Sequence, residues 1–174
     1  MTETKKITLA GIYFALASIL CLLEIPVFGF MSIEFSLVVV LMSYFTIGWK
    51  YTFWLSITYP WMTMINYFPT SWVGALTLIA LNLLVMISLI ALKAKDNSYV
   101  RMVISILIVS IAMTLLNIVF FNAAWSGFDY SWAFQPEIII TSLAFYIPFN
   151  IIKLLIMYVI AIPIIKITKG VING

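Results

Sequence analysis

The sequence predicts an all-α integral membrane protein, a six-transmembrane-helix bundle with N- and C-termini cytoplasmic. Three observations carry that expectation. The 174 residues are 65% hydrophobic and only 9% charged, with a mean hydropathy of +1.19. A soluble domain of this size has no way to hide so much apolar surface. Apolar runs of about 20 residues, the length that crosses a bilayer, recur along the whole chain. The charges then sort to the two ends of those runs.

The expected spans are residues 7–23, 33–49, 51–68, 72–92, 100–121 and 136–167, in a single membrane domain covering residues 1–174. Pro60 is expected to kink or split the third span. The sixth is long and holds Pro148 and Pro163, so it is expected to tilt or to break near Pro148. Lys5 and Lys6 precede an apolar stretch, but no A-x-A-like cleavage site follows, which makes this a retained first span.

With the N-terminus inside, the cytoplasmic ends carry Lys5, Lys6, Lys50, Lys93, Lys95, Arg101, Lys166 and Lys169, eight of the nine basic residues. Glu24, Glu34, Asp129 and Glu137 map to the outer edge. This is a positive-inside pattern and implies a multi-pass protein of the cell membrane. An odd number of spans would put Lys166 and Lys169 on the wrong side. Two outer segments exceed tight turns: residues 24–33 and the aromatic-rich residues 122–135. Both are placed to cover a bound ligand or to lie among lipid headgroups.

Composition excludes several function classes. The chain has no histidine and one cysteine, Cys21. That removes Ser-His-Asp and Cys-His catalysis, the usual zinc sites and any internal disulfide, so neither catalytic residues nor a metal is expected. No GxxxxGK[ST] loop is present, so energy from ATP would have to arrive through another subunit. No basic stripe interleaved with aromatics points to nucleic acid. A proton-coupled exporter wants a carboxylate inside a span, and the acids lie at the edges. A membrane enzyme or small exporter is therefore the weaker alternative.

The ninth cation, Lys153, lies inside the sixth span. An ammonium group there costs about 2.5–3.5 kcal/mol on insertion scales, so it should face a bundle interior or a polar cavity. Its partner is expected to be a bound solute. Asn150, three positions earlier, shares its helical face. Counting from Lys166, Lys153 sits about 20 Å and Asn150 about 24 Å up the helix. Asn117 is also about 24 Å from Arg101 on the fifth span. Three hydrogen-bonding heads thus fall at one level, where a pocket opening outward would suit a neutral, amide-rich ligand. Trp125, Phe121 or Tyr146 would add an aromatic wall for a flat heterocycle. The competing expectations are snorkelling for Lys153 and helix–helix adhesion for Asn117 or Asn82. On the first span, Gly11 and Ala15 form a small-residue pair that lets another helix approach closely.

The segments GIYFALASIL, LLEIPVFGFMSIEFS, FTIGW, MTLLN and IPFNIIK, in that order, resemble the riboflavin-binding S component of energy-coupling-factor (ECF) vitamin transporters. The family's first-helix G-x-x-x-A is matched by Gly11 and Ala15, and its D/E-F-S segment by Glu34, Phe35 and Ser36. Its Leu-Asn pair is matched by Leu116 and Asn117, and its P-F-N-x-x-K by Pro148, Phe149, Asn150 and Lys153. The resemblance implies six helices that bind the vitamin from outside, with no cofactor and no chemistry. It implies riboflavin contacts at Asn117, Asn150 and Lys153. It also implies docking through Gly11 and Ala15 onto a shared transmembrane coupling subunit, with two ATPase subunits driving transport. The sequence departs from the family at Leu37, where an acid is frequent, and at Tyr59-Pro60, where a Lys-Asn pair is usual. S components for folate, pantothenate or other vitamins share the scaffold and stay open as alternatives.

Overall fold

The computed structural model describes residues 1–28, 31–65, 71–95 and 98–173. In chain order it has α1 (Glu3–Cys21), a hairpin of β1 (Glu24–Phe28) and β2 (Met31–Glu34), α2 (Ser36–Thr46) and α3 (Trp49–Thr58). A 3-10 turn (Tyr59–Ile65), α4 (Ser71–Ala91) and α5 (Tyr99–Leu116) follow. A π-helical turn (Asn117–Phe121) joins α5 to the short helix α6 (Asn122–Trp125), and α7 (Tyr130–Ala133) leads into the long α8 (Pro136–Asn173).

Among the described residues, four helical stretches are long and apolar enough to cross a membrane: Glu3–Cys21, Trp72–Ala91, Tyr99–Trp125 and Pro136–Ile172. The other two expected spans are built differently. α2 is a short core helix, with every residue from Ser36 to Ser43 buried. Its apolar character serves the bundle interior, where it packs against α1, α3 and α8. Gly48, at φ +96°, makes the left-handed turn that reverses the chain into α3. α3 stops at Thr58, and Pro60 follows in the 3-10 turn. The proline has no N–H for the helical ladder and crowds the preceding turn, so the tighter winding takes over there. The expected end of the third span, at residues 66–68, lies outside the described residues.

One expectation is corrected and one alternative is decided. Where an outer loop was expected, β1 and β2 form an antiparallel hairpin pairing Glu24 with Glu34 and Ile25 with Ile33, with a register irregularity between Pro26 and Phe28. Proline lacks a ladder donor, and sheets admit it at such irregularities. α8, in turn, does not break: it is one helix containing both Pro148 and Pro163. Both prolines are exposed, so their rings stand on the outer face while the inner face packs without interruption.

The exterior of the bundle is apolar, and polar side chains turn inward among an apolar core. On α5, Ser105, Ser110 and Thr114 are buried, whereas Val103, Leu107 and Ile111 are exposed. On α8, Lys153 shares the buried face with Leu154, Met157 and Ala161, while Ile152, Leu155 and Val159 point outward. In water this arrangement would be costly; in lipid, apolar exteriors are the favourable solution, and polar side chains gain by turning inward.

Candidate functional site

The site grows from that buried face of α8. Residues 150, 153, 154 and 157 recur at helical spacing, so one stripe carries both the amide and the ammonium toward the bundle. Lys153 is 7% exposed, which rejects snorkelling. Its Nζ lies 2.5 Å from Glu34 Oε2 and donates to the Ser32 carbonyl oxygen at 3.0 Å. Ser32 Oγ donates to the other carboxylate oxygen, Glu34 Oε1, at 2.7 Å. The ammonium also stands 5.9 Å from the centre of the Phe149 ring, a cation–π contact from its own helix.

Glu34 is a residue of the site that the sequence did not assign to it. Sequence placed it at the outer edge; the structure buries it at 7% exposure. The expected partner of Lys153 was a bound solute, yet the chain itself supplies a carboxylate. The cause is the hairpin. β2 turns the chain back so that Glu34, its last residue, enters the bundle just before α2 begins. The one signal available in the sequence was Glu34 in the E-F-S segment, which gave a motif position without a partner.

Asn150 is 7% exposed, and its Nδ2 is buried with no hydrogen-bond partner. An unsatisfied buried donor costs about 1–3 kcal/mol. Ser56 Oγ, Ser110 Oγ and Asn82 Oδ1 are also buried without a partner, and Asn150 is set apart by its place one helical turn from Lys153. Asn117 is also buried, at the first position of the π-helical turn, whose end is marked by the Asn122 N–H donating to the Asn117 carbonyl five residues back. Single π turns inside helices recur at functional sites because they re-aim the side chains they carry. The π turn packs against α8, as does α5.

The aromatic wall is only partly present. Phe121 is buried, but Trp125 is 54% exposed and faces out. The Tyr146 hydroxyl donates to Asn122 Oδ1 at 3.1 Å, and Asn122 Nδ2 donates to Ser142 Oγ at 2.9 Å. Above them, Phe128 stacks on Trp72 at 6.0 Å and meets Phe120 edge-on at 6.3 Å. Phe128 adopts φ +66°, uncommon for a bulky residue, and these ring contacts hold it there. Asp129 then caps α7, accepting from the backbone N–H groups of Ser131 and Trp132. The Ser131 hydroxyl and those N–H groups hold its carboxyl below the usual range.

Asn82 behaves as adhesion between elements. Its Nδ2 donates to the Tyr59 hydroxyl at 2.9 Å, and that hydroxyl donates to Ser36 Oγ at 3.1 Å. Tyr59, one of the departures from the family pattern, is fully buried and ties α4 and α2 to the 3-10 turn. Gly11 and Ala15 both lie exposed on α1. A Cβ built on Gly11 would meet nothing within 4 Å, so packing inside this chain does not require glycine there. Among the described residues, no cluster of three or more Cys, Asp or Glu side chains is placed to hold a metal ion.

Comparison with known proteins follows the same line. No curated protein sequence matches the chain. One solved structure, described as "Structure and mechanism of the S component of a bacterial ECF transporter", superposes with a TM-score of 0.79 at 19% identity. The match covers 99% of this chain and 100% of that one, and it establishes the shared fold. Residues 5–165 match the family described as "ECF transporter, substrate-specific component". Family members are membrane-bound transporter subunits rather than enzymes. On that match across most of its length, the chain belongs to the family of substrate-specific components of ECF transporters.

Proposed function

We propose that this protein is the substrate-capture subunit of an ATP-driven vitamin uptake transporter and that its ligand is riboflavin. Asn117, Asn150 and Lys153 bind the heterocycle from the outer side of the cell membrane. The chain crosses six times, with α2 and the α3/3-10 unit supplying the two short crossings and both termini cytoplasmic. Gly11 and Ala15 form the surface that receives the shared coupling subunit, to which two ATPase subunits attach. The exposed, unconstrained Gly11 supports that assignment.

The observation that carries this reading is the unpartnered Asn150 amide beside the inward-facing Lys153. An ammonium has three N–H donors. Two of those on Lys153 are used by Glu34 and Ser32, leaving one for a ligand. Adjacent carbonyl oxygens and ring nitrogens of a flavin accept from such a pair of donors. Purified protein in detergent should quench riboflavin fluorescence saturably, and Asn150→Leu should weaken that binding at least tenfold. Equal affinity in the two proteins rejects the site.

A further inference from the structure

Glu34 reaches the buried face of α8 from the hairpin, and both its oxygens are engaged: one by Lys153 at 2.5 Å, the other by Ser32 Oγ at 2.7 Å. The Glu34 and Lys153 side chains are 9% and 8% exposed. The charge of this locus is thus +1 and −1, already balanced without any ligand. Uncompensated charge is very costly to bury. A carboxylate or phosphate entering beside a balanced pair would lose its hydration and find no free countercharge. A neutral acceptor loses much less, and it satisfies the donors that remain: Asn150 Nδ2 and the third N–H of Lys153.

We infer that Glu34 is a specificity-determining residue: by cancelling Lys153 within the site, it restricts the ligand to uncharged, carbonyl-bearing heterocycles and rejects anionic vitamins. This rests on the reading of Asn150 and Lys153 as the ligand site and adds to it the charge class of the ligand. Without Glu34, the same Lys153 is a receptor for a carboxylate or a phosphate. The residue acts through Lys153, so its role is positioning and charge balance, and the readout must be selectivity rather than affinity alone.

The test uses the full-length protein and four probes: riboflavin, flavin mononucleotide, pantothenate and folate. Flavin mononucleotide keeps the ring of riboflavin and adds an anionic phosphate. Wild-type protein should bind riboflavin and leave pantothenate and folate unbound at the same concentration. In Glu34→Gln the uncovered Lys153 charge should raise the affinity for flavin mononucleotide relative to riboflavin by about tenfold at low salt. Glu34→Asp keeps the charge and should keep the wild-type ratio. A folded Glu34→Gln protein with an unchanged ratio overturns the inference while leaving riboflavin capture intact. If Glu34→Gln does not fold, the wild-type panel decides: preference for pantothenate or folate over riboflavin overturns it. Wild-type protein that binds none of the four overturns both this inference and the capture reading beneath it.

Discussion

Glu34 and Lys153 lie 119 residues apart in sequence and 2.5 Å apart between carboxylate and ammonium. The pair joins the hairpin that precedes α2 to the middle of α8, so it fastens that hairpin to the face that carries Asn150. Removing one partner of a buried pair strands the other charge and costs about 3–5 kcal/mol, whereas replacing both by neutral groups costs much less. Lys153→Met should therefore lower the thermal midpoint in detergent markedly. Combining it with Glu34→Gln should restore most of the loss. Additive losses in the double variant would mean that the two residues are not energetically coupled.

Asn150→Leu should separate stability from function. The substitution removes a buried donor that has no partner, relieving a penalty of about 1–3 kcal/mol. The expected protein melts at or above the wild-type temperature and binds riboflavin at least tenfold more weakly. Loss of stability together with binding would mark Asn150 as a packing residue.

Asn82→Leu should give the opposite pattern. It leaves the buried Tyr59 hydroxyl without the 2.9 Å contact that Asn82 supplies. Asn82 Oδ1 is itself buried without a partner, so its removal offsets part of the loss. Stability should fall by about 1 kcal/mol, with riboflavin affinity changed less than threefold. A large loss of affinity in a protein of unchanged stability would bring Asn82 into the ligand site.

Gly11→Trp tests the coupling surface. The position is exposed and open, so the side chain fits without disturbing the fold. Riboflavin binding by the isolated subunit should be unchanged, while uptake by cells carrying the full transporter should stop. Continued uptake would move the docking surface elsewhere on the bundle.

These contrasts also show which parts of the molecule were legible in the sequence. The inward orientation of Lys153 was legible because lipid penalises the alternative so heavily that one residue decides it. Pro60 was legible because its effect is local: it removes a donor at a known position. Asn82 as adhesion was within reach of the same logic. The hairpin was not, since Glu24–Phe28 and Met31–Glu34 read as an apolar loop between spans, and strand pairing there depends on what the two strands pack against. Glu34 was missed for the same reason, because a contact across 119 residues has no periodic signature. The unbroken α8 was not legible because the local signal of Pro148 and Pro163 does not say that both rings fall on the exposed face, where they leave the packed inner face intact.

The most direct test of the central claim is a riboflavin titration of the purified wild-type subunit beside Asn150→Leu and Glu34→Gln. Saturable binding by wild type, lost in Asn150→Leu and shifted toward the phosphorylated flavin in Glu34→Gln, is the expected result. Wild-type protein that is folded yet leaves riboflavin fluorescence unchanged at every concentration would contradict it.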